Sequence, residues 1–163
     1  MRSTRFISFA TIFAFMACAH GGTRSTEVGS GQTADTGPQQ TIQWGPAPAV
    51  FPPGAQFAVM QGDPSKAGEP FTVRLRLPDG YLIPPHTHPT EEDVTVLSGT
   101  FLAGMGPNVV ESDLHPFGRG DFAAIPSNHA HYARARGETI VQVNAIGPFA
   151  ITFVKPDGTP IDR

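Results

Sequence analysis

Residues 80–99 read GYLIPPHTHPTEEDVTVLSG. His86 and His88 are separated by one residue, so an extended chain puts both on one face, with Cα atoms about 6.6 Å apart at roughly 3.3 Å per residue. Pro85 and Pro89 bias the residues before them towards that extended geometry. Two imidazoles held this way can converge on one ion at distances of about 2.0–2.1 Å, and a carboxylate from the next strand can complete the set. Strand parity selects which one. In Glu92-Asp-Val-Thr-Val-Leu97 the apolar residues Val94 and Val96 share the face of Glu92, whereas Asp93 and Thr95 point the other way. Glu92 is therefore the better ligand among the adjacent Glu91, Glu92 and Asp93, although Leu97 breaks the alternation. An ionised carboxylate buried without a partner is costly, and buried charges pair or bind metal.

Outward from this stretch the chain reads as strands. In Phe71-Thr-Val-Arg-Leu-Arg-Leu77 the apolar residues fall at 71, 73, 75 and 77, the period of a half-buried strand. Short runs at 56–60, 92–97, 100–105, 121–125, 131–136, 139–145 and 149–154 are divided by turn residues. The 18 Gly and 17 Pro in 163 residues favour this arrangement over long helices. Roughly eight to ten strands over about 115 residues predict an all-β sandwich or barrel. The chain is 39% hydrophobic, enough for a core, and its formal charge of −3 offers no basic face for nucleic acid. Its one cysteine excludes an internal disulfide and a cysteine-rich zinc site.

Further along, Gly120, Pro126 and His131 are spaced as Gly, five residues, Pro, four residues, His, while Gly80, His86, His88, Glu92 and Gly99 make a first set. Together these resemble the two-part motif of the cupin superfamily, small double-stranded β-helix or jelly-roll barrels. Asn128 stands where that pattern has Gly, and Ala135 where Asn is common. Asn tolerates the left-handed backbone better than most residues, and neither departure touches a ligand. The resemblance, over roughly residues 44–156, implies that His86, His88, His131 and Glu92 bind one divalent metal inside a barrel. Parity supports His131 independently, since it shares a face with Ala133 and Ala135. Three nitrogens and one oxygen leave two octahedral positions open, which suits Mn, Fe, Ni or Co and is compatible with a distorted Zn or Cu site.

The rest of a site is less specified. Phe71, Val73, Leu75, Val94, Val96, Phe101, Ala103 and Met105 occupy inward parity, with Phe101 and Met105 as substrate-contact candidates. Gln142 and Asn144 are either the outer face or polar groups near the metal, so Gln142 is a third candidate. His129 shares the parity of His131 and is the catalytic candidate, against the alternative of a solvated loop histidine. His115 is expected exposed, in a loop over 111–119, and Trp44 is expected to seal one end of the barrel. Arg74, Arg76, Arg134 and Arg136 fall on the opposite parity, which favours a small, weakly charged or aromatic substrate over a dicarboxylate.

The N-terminus reads as an address. Arg2 and Arg5 precede an apolar run of about twelve residues, too short to span a bilayer at about 20 residues but matching a secretory signal. Cys18 follows Ala17, which resembles the bacterial lipoprotein signal, in which the cysteine is lipidated; simple cleavage nearby is the alternative. Residues 19–41 have no aromatic residue and one Val, too little apolar surface to order themselves. The expected organisation is a signal or lipoprotein segment over 1–18, a flexible linker over 19–43, a single-domain cupin barrel over 44–156 and a tail over 157–163. The protein is expected to be exported, lipid-anchored in the cell envelope or periplasmic. The resemblance further implies a possible homodimer and a small-molecule partner. Two functions stay open: a metal-dependent oxidoreductase of dioxygenase type, or a noncatalytic module binding metal or a small ligand.

Overall fold

The computed structural model describes residues 41–161. Cys18, the signal segment and most of the expected linker lie outside the described residues. Nine strands form one curled sheet: β1 (Gly45–Pro46), β2 (Gln56–Gln61), β3 (Pro70–Leu77), β4 (Leu82–Thr87), β5 (Glu92–Met105), β6 (His115–Phe117), β7 (Phe122–Ile125), β8 (His131–Ile146) and β9 (Thr152–Phe153). A single 3₁₀ turn at Glu111–Asp113 is the one helical element among the described residues.

Two long strands organise the sheet. β5 and β8 pair antiparallel along their whole length, from Glu92 opposite Ala145 to Met105 opposite His131. One half of β8 carries β3 on its other edge and the opposite half carries β4. Likewise β7 pairs with the start of β5 and β6 with its later half. The sheet thus curls into two halves, as in a jelly roll. Sequence runs 92–97 and 100–105 merge into β5, and 131–136 and 139–145 into β8. The chain passes the apparent break in β5 by shifting register around Ser98. Gly99 makes this possible: its φ is +75°, and a Cβ there would meet the Glu138 carbonyl and Thr139.

Alternation fills the interior. Phe71, Val73, Leu75 and Leu77 of β3 are buried in one core with Val94 and Val96 of β5 and Val141 and Val143 of β8, their register neighbours across the sheet. Each such side chain contributes about 1.5–3 kcal/mol on burial. The other parity makes the outer face. There Arg74 Nε donates to Gln142 Oε1 at 3.1 Å, and Asn144 Nδ2 donates to Thr72 Oγ1 at 2.8 Å. Gln142 is therefore an outer-face residue and not a substrate contact inside the barrel. Trp44 is also on this side: the Arg76 guanidinium sits 4.3 Å from its ring centroid, so it covers the sheet instead of sealing an end. The run 149–154 is a strand only at Thr152–Phe153. Beyond it, Val154 bridges Pro160.

Candidate metal centre

The motif residues converge where β4, β5 and β8 meet. His86 lies on β4 opposite His131, the first residue of β8, and Glu92 opens β5. His88 follows β4 directly. All four side chains are buried, with 3–7% of their surface exposed. The turn of the second motif fastens itself to the first: Asn128, at φ +60°, donates its backbone N–H to the His88 carbonyl at 2.7 Å. Asn128 thus performs the turn for which glycine is usual, and Ala135 is buried in the core.

The main chain orients each imidazole. Nδ1 lies 2.7 Å from the Pro84 carbonyl in His86, 2.9 Å from Ala150 in His88 and 3.0 Å from His129 in His131. A carbonyl only accepts, so each Nδ1 is a protonated nitrogen and each Nε2 is the ring atom left for the centre. The Nε2 atoms of His88 and His131 are buried without a hydrogen-bond partner. One ligand nitrogen from each of the three rings lies within 4.8 Å of the others. Glu92 Oε2 stands 3.4 Å from His88 Nε2 and 3.3 Å from His131 Nε2, in directions that make no hydrogen bond. Donors about 2.1 Å from a shared cation stand roughly 3.0–3.4 Å apart at octahedral or tetrahedral angles. Those two separations match the spacing of a coordination shell; the three imidazoles form the mutually close donor group, with Glu92 beside two of them, a set whose chemistry fits a divalent transition ion.

Electrostatics point the same way. Burial drives the His86 imidazole down to about 3, and His131 and His88 push in the same direction. Burial also lowers His88, partly opposed by Glu92. For Glu92, burial pushes the carboxyl up, but His131, His88 and His86 outweigh it and hold the group below the usual carboxylate range. At neutral pH His86 and His88 are neutral and Glu92 is ionised. Among the described residues no Lys or Arg lines the cavity, so the imidazoles are the groups that face the buried carboxylate, and a cation would fit beside it.

The cavity itself is small, about 20 Å³, room for little more than one water or ion. Val94, Phe101, Val141 and Val143 wall it, as inward parity predicts. Phe51, Phe149 and Ile151 also line it and escaped the sequence reading. Phe51 sits in a connecting segment with no strand pattern, and Phe149 and Ile151 lie just before β9 in the run 149–154, whose alternation does not by itself say which barrel space it faces. Phe149 stacks on His88, with centroids 5.2 Å apart and planes 10° apart.

Other candidates fall elsewhere. His129 is exposed, its Nδ1 beside the Ser127 carbonyl at 3.1 Å, so its side chain is the solvated loop histidine; it serves the centre through its carbonyl. Met105 does not reach the cavity: 53% exposed, it lines a neighbouring groove. His115 is exposed as expected, but on β6, because residues 115–117 pair with β5 and the expected loop is partly strand.

Residues 73–147 match the Cupin domain family. No curated protein matches the chain significantly. Among solved structures, a candidate acetylacetone dioxygenase from Methylibium petroleiphilum aligns with a TM-score of 0.59 and 22% identity, covering 74% of this chain and 81% of that one. An acetylacetone dioxygenase from Acinetobacter johnsonii aligns at 0.58 and 14% identity, covering 77% and 85%. A cupin 2 conserved barrel domain protein from Rhodopseudomonas palustris aligns at 0.56 and 17% identity, covering 72% and 80%. At these identities the likeness is one of fold. Residues 73–147 thus match the Cupin domain family, and the chain shares the fold of these solved structures, with the motif histidines gathered at its centre.

Proposed function

We propose that this chain is an exported metal-dependent oxidoreductase of dioxygenase type, acting on a small organic molecule, with His86, His88, His131 and Glu92 holding one divalent transition ion. The observation that carries the reading is the pair of buried, unpartnered Nε2 atoms on His88 and His131, each aimed by a carbonyl bond on the far side of its ring. Likeness to acetylacetone dioxygenases supports the reaction class. When bound, such an ion supplies Lewis-acid and redox chemistry at its open positions. The chain's own residues fix the imidazoles, keep two of them neutral and exclude bulk water behind Val94, Phe101 and Phe149. Arg2, Arg5, the apolar run and Cys18 support export and lipid anchoring at the cell envelope; intact-mass measurement of the mature N-terminus tests this. Homodimerisation is part of the same proposal, tested by sedimentation.

The test of activity is the full chain loaded in turn with Fe, Mn, Ni, Co, Zn or Cu, followed by oxygen-consumption and mass-spectrometric screens against small organic compounds. The expected result is turnover that disappears in His88→Ala. A noncatalytic module is the second reading. It is favoured by one observation: beyond the four donor residues, no titratable side chain lines the cavity. Tight metal binding with no product in any loaded form would select it.

A further inference from the structure

The metal cavity is too small for an organic molecule, and a second space beside it is not. A groove of about 360 Å³ runs along β5, β6 and β7, lined by Ala103, Met105, Phe117, Ala123, Ile125 and His131. That volume lies at the low end of small-molecule sites. His131 lines both spaces, so the groove adjoins the candidate centre at that residue.

The groove's wall is held in place. Tyr132, next to His131, donates its hydroxyl to the Val110 carbonyl and accepts the Val110 N–H, both at 3.0 Å. Arg134 pairs with Glu111 at 2.8 Å. These bonds tie the segment leading into Asp113 and His115 to the strand that carries His131. Gly104 completes the wall, since a Cβ there would run into the Tyr132 ring. Asp113 and His115 supply its only other titratable groups, and no Lys or Arg lines it.

We propose that this groove is the organic-ligand site and that it takes a small, largely apolar molecule that is neutral or cationic, not an anion. Shape complementarity comes from the alanines and Phe117; the charge preference comes from Asp113, which no lining cation offsets. A catalytic purpose for the groove rests on the metal-centre reading above, but binding in it does not.

The test uses three probes of one shape and different charge: benzyl alcohol, benzylamine and benzoate. Each is titrated into the isotope-labelled, zinc-loaded full chain while amide shifts are followed. Benzyl alcohol and benzylamine are expected to shift the amides of Met105, Phe117 and Ala123, with benzoate binding more weakly than either. Ala123→Phe should fill the groove and weaken benzyl alcohol about tenfold or more, with zinc content unchanged. Met105→Lys alters a position that is 53% exposed, and it should raise affinity for benzoate and lower it for benzylamine. Tightest binding by benzoate to the natural chain, shifts confined to other regions, or no response to Met105→Lys would overturn the proposal. Metal content is read on the same samples after loading in turn with Fe, Mn, Ni, Co, Zn or Cu: a chain that binds these probes but none of the six metals sinks the metal centre and leaves the groove, while metal without probe binding does the reverse.

Discussion

Phe149 lies face to face on the imidazole of His88, the two planes only 10° apart. The same ring meets Phe71 at 5.3 Å, linking the imidazole to the core of β3. His88 lies beyond the end of β4, so its orientation depends on this stack and on the Ala150 carbonyl that takes its Nδ1–H. Phe149→Ala is expected to lower metal affinity about 10–100-fold, the usual cost of losing an orienting neighbour. It should cost about 1–3 kcal/mol of stability, since Phe149 is only partly buried. Metal titration and thermal melts separate the two effects, and Phe149→Leu should restore stability more than affinity.

Acid should destabilise the metal-free protein before any carboxylate effect sets in. The His86 imidazole falls from 6.5 unfolded to about 3 folded, so between those values the unfolded chain binds a proton that the folded chain refuses. Stability therefore rises with pH across that window, by about 1.4 kcal/mol per pH unit from this group alone, and is fully present above 6.5. His88 shifts in the same direction. The lowered Glu92 carboxyl adds a further loss as pH falls below 4.5. Melting temperature measured from pH 8 to pH 4 after chelation should drop monotonically; a flat or inverted profile contradicts the burial argument.

Glu92→Gln separates charge from shape. Glu92 is buried beside two imidazoles with no Lys or Arg lining its cavity. Removing its charge should lower the stability of the metal-free protein at neutral pH, because the surrounding imidazoles favour the ionised carboxyl by more than its burial costs. Metal affinity should also fall at least about tenfold. Equal affinity in the variant would show that the carboxylate is not a donor.

Much of this centre was legible because β-strands alternate strictly. Parity alone placed Glu92 inward and Glu91 outward, and it put His131 on the face of Ala133 and Ala135. The same rule left Gln142 undecided, because Val141 and Val143 could have faced either side until Arg74 was found beside the amide. Segments without regular pairing carry no such rule. Phe51 and Phe149 reach the cavity from connecting stretches, and β6 is three residues long with a proline at its centre. Met105 kept the inward parity of Phe101, but at the far end of β5 that face lines the groove and is half open to solvent.

Gly104 tests the fold around the groove. A Cβ there would run into the Tyr132 ring, and Tyr132 is fully buried. Gly104→Ala should therefore cost about 1–3 kcal/mol from overpacking, read as a lower melting temperature. A variant as stable as the natural chain would mean that Tyr132 moves freely and does not anchor Val110.

Metal stoichiometry of the full chain, purified without a metal-binding tag and reconstituted at neutral pH, tests the central claim most directly. Three carbonyl-oriented imidazoles and a buried carboxylate should hold about one equivalent of transition metal per chain, released on acidification as the imidazoles protonate and lost in His131→Ala. Binding below about 0.2 equivalents, or binding undiminished in His131→Ala, would contradict it.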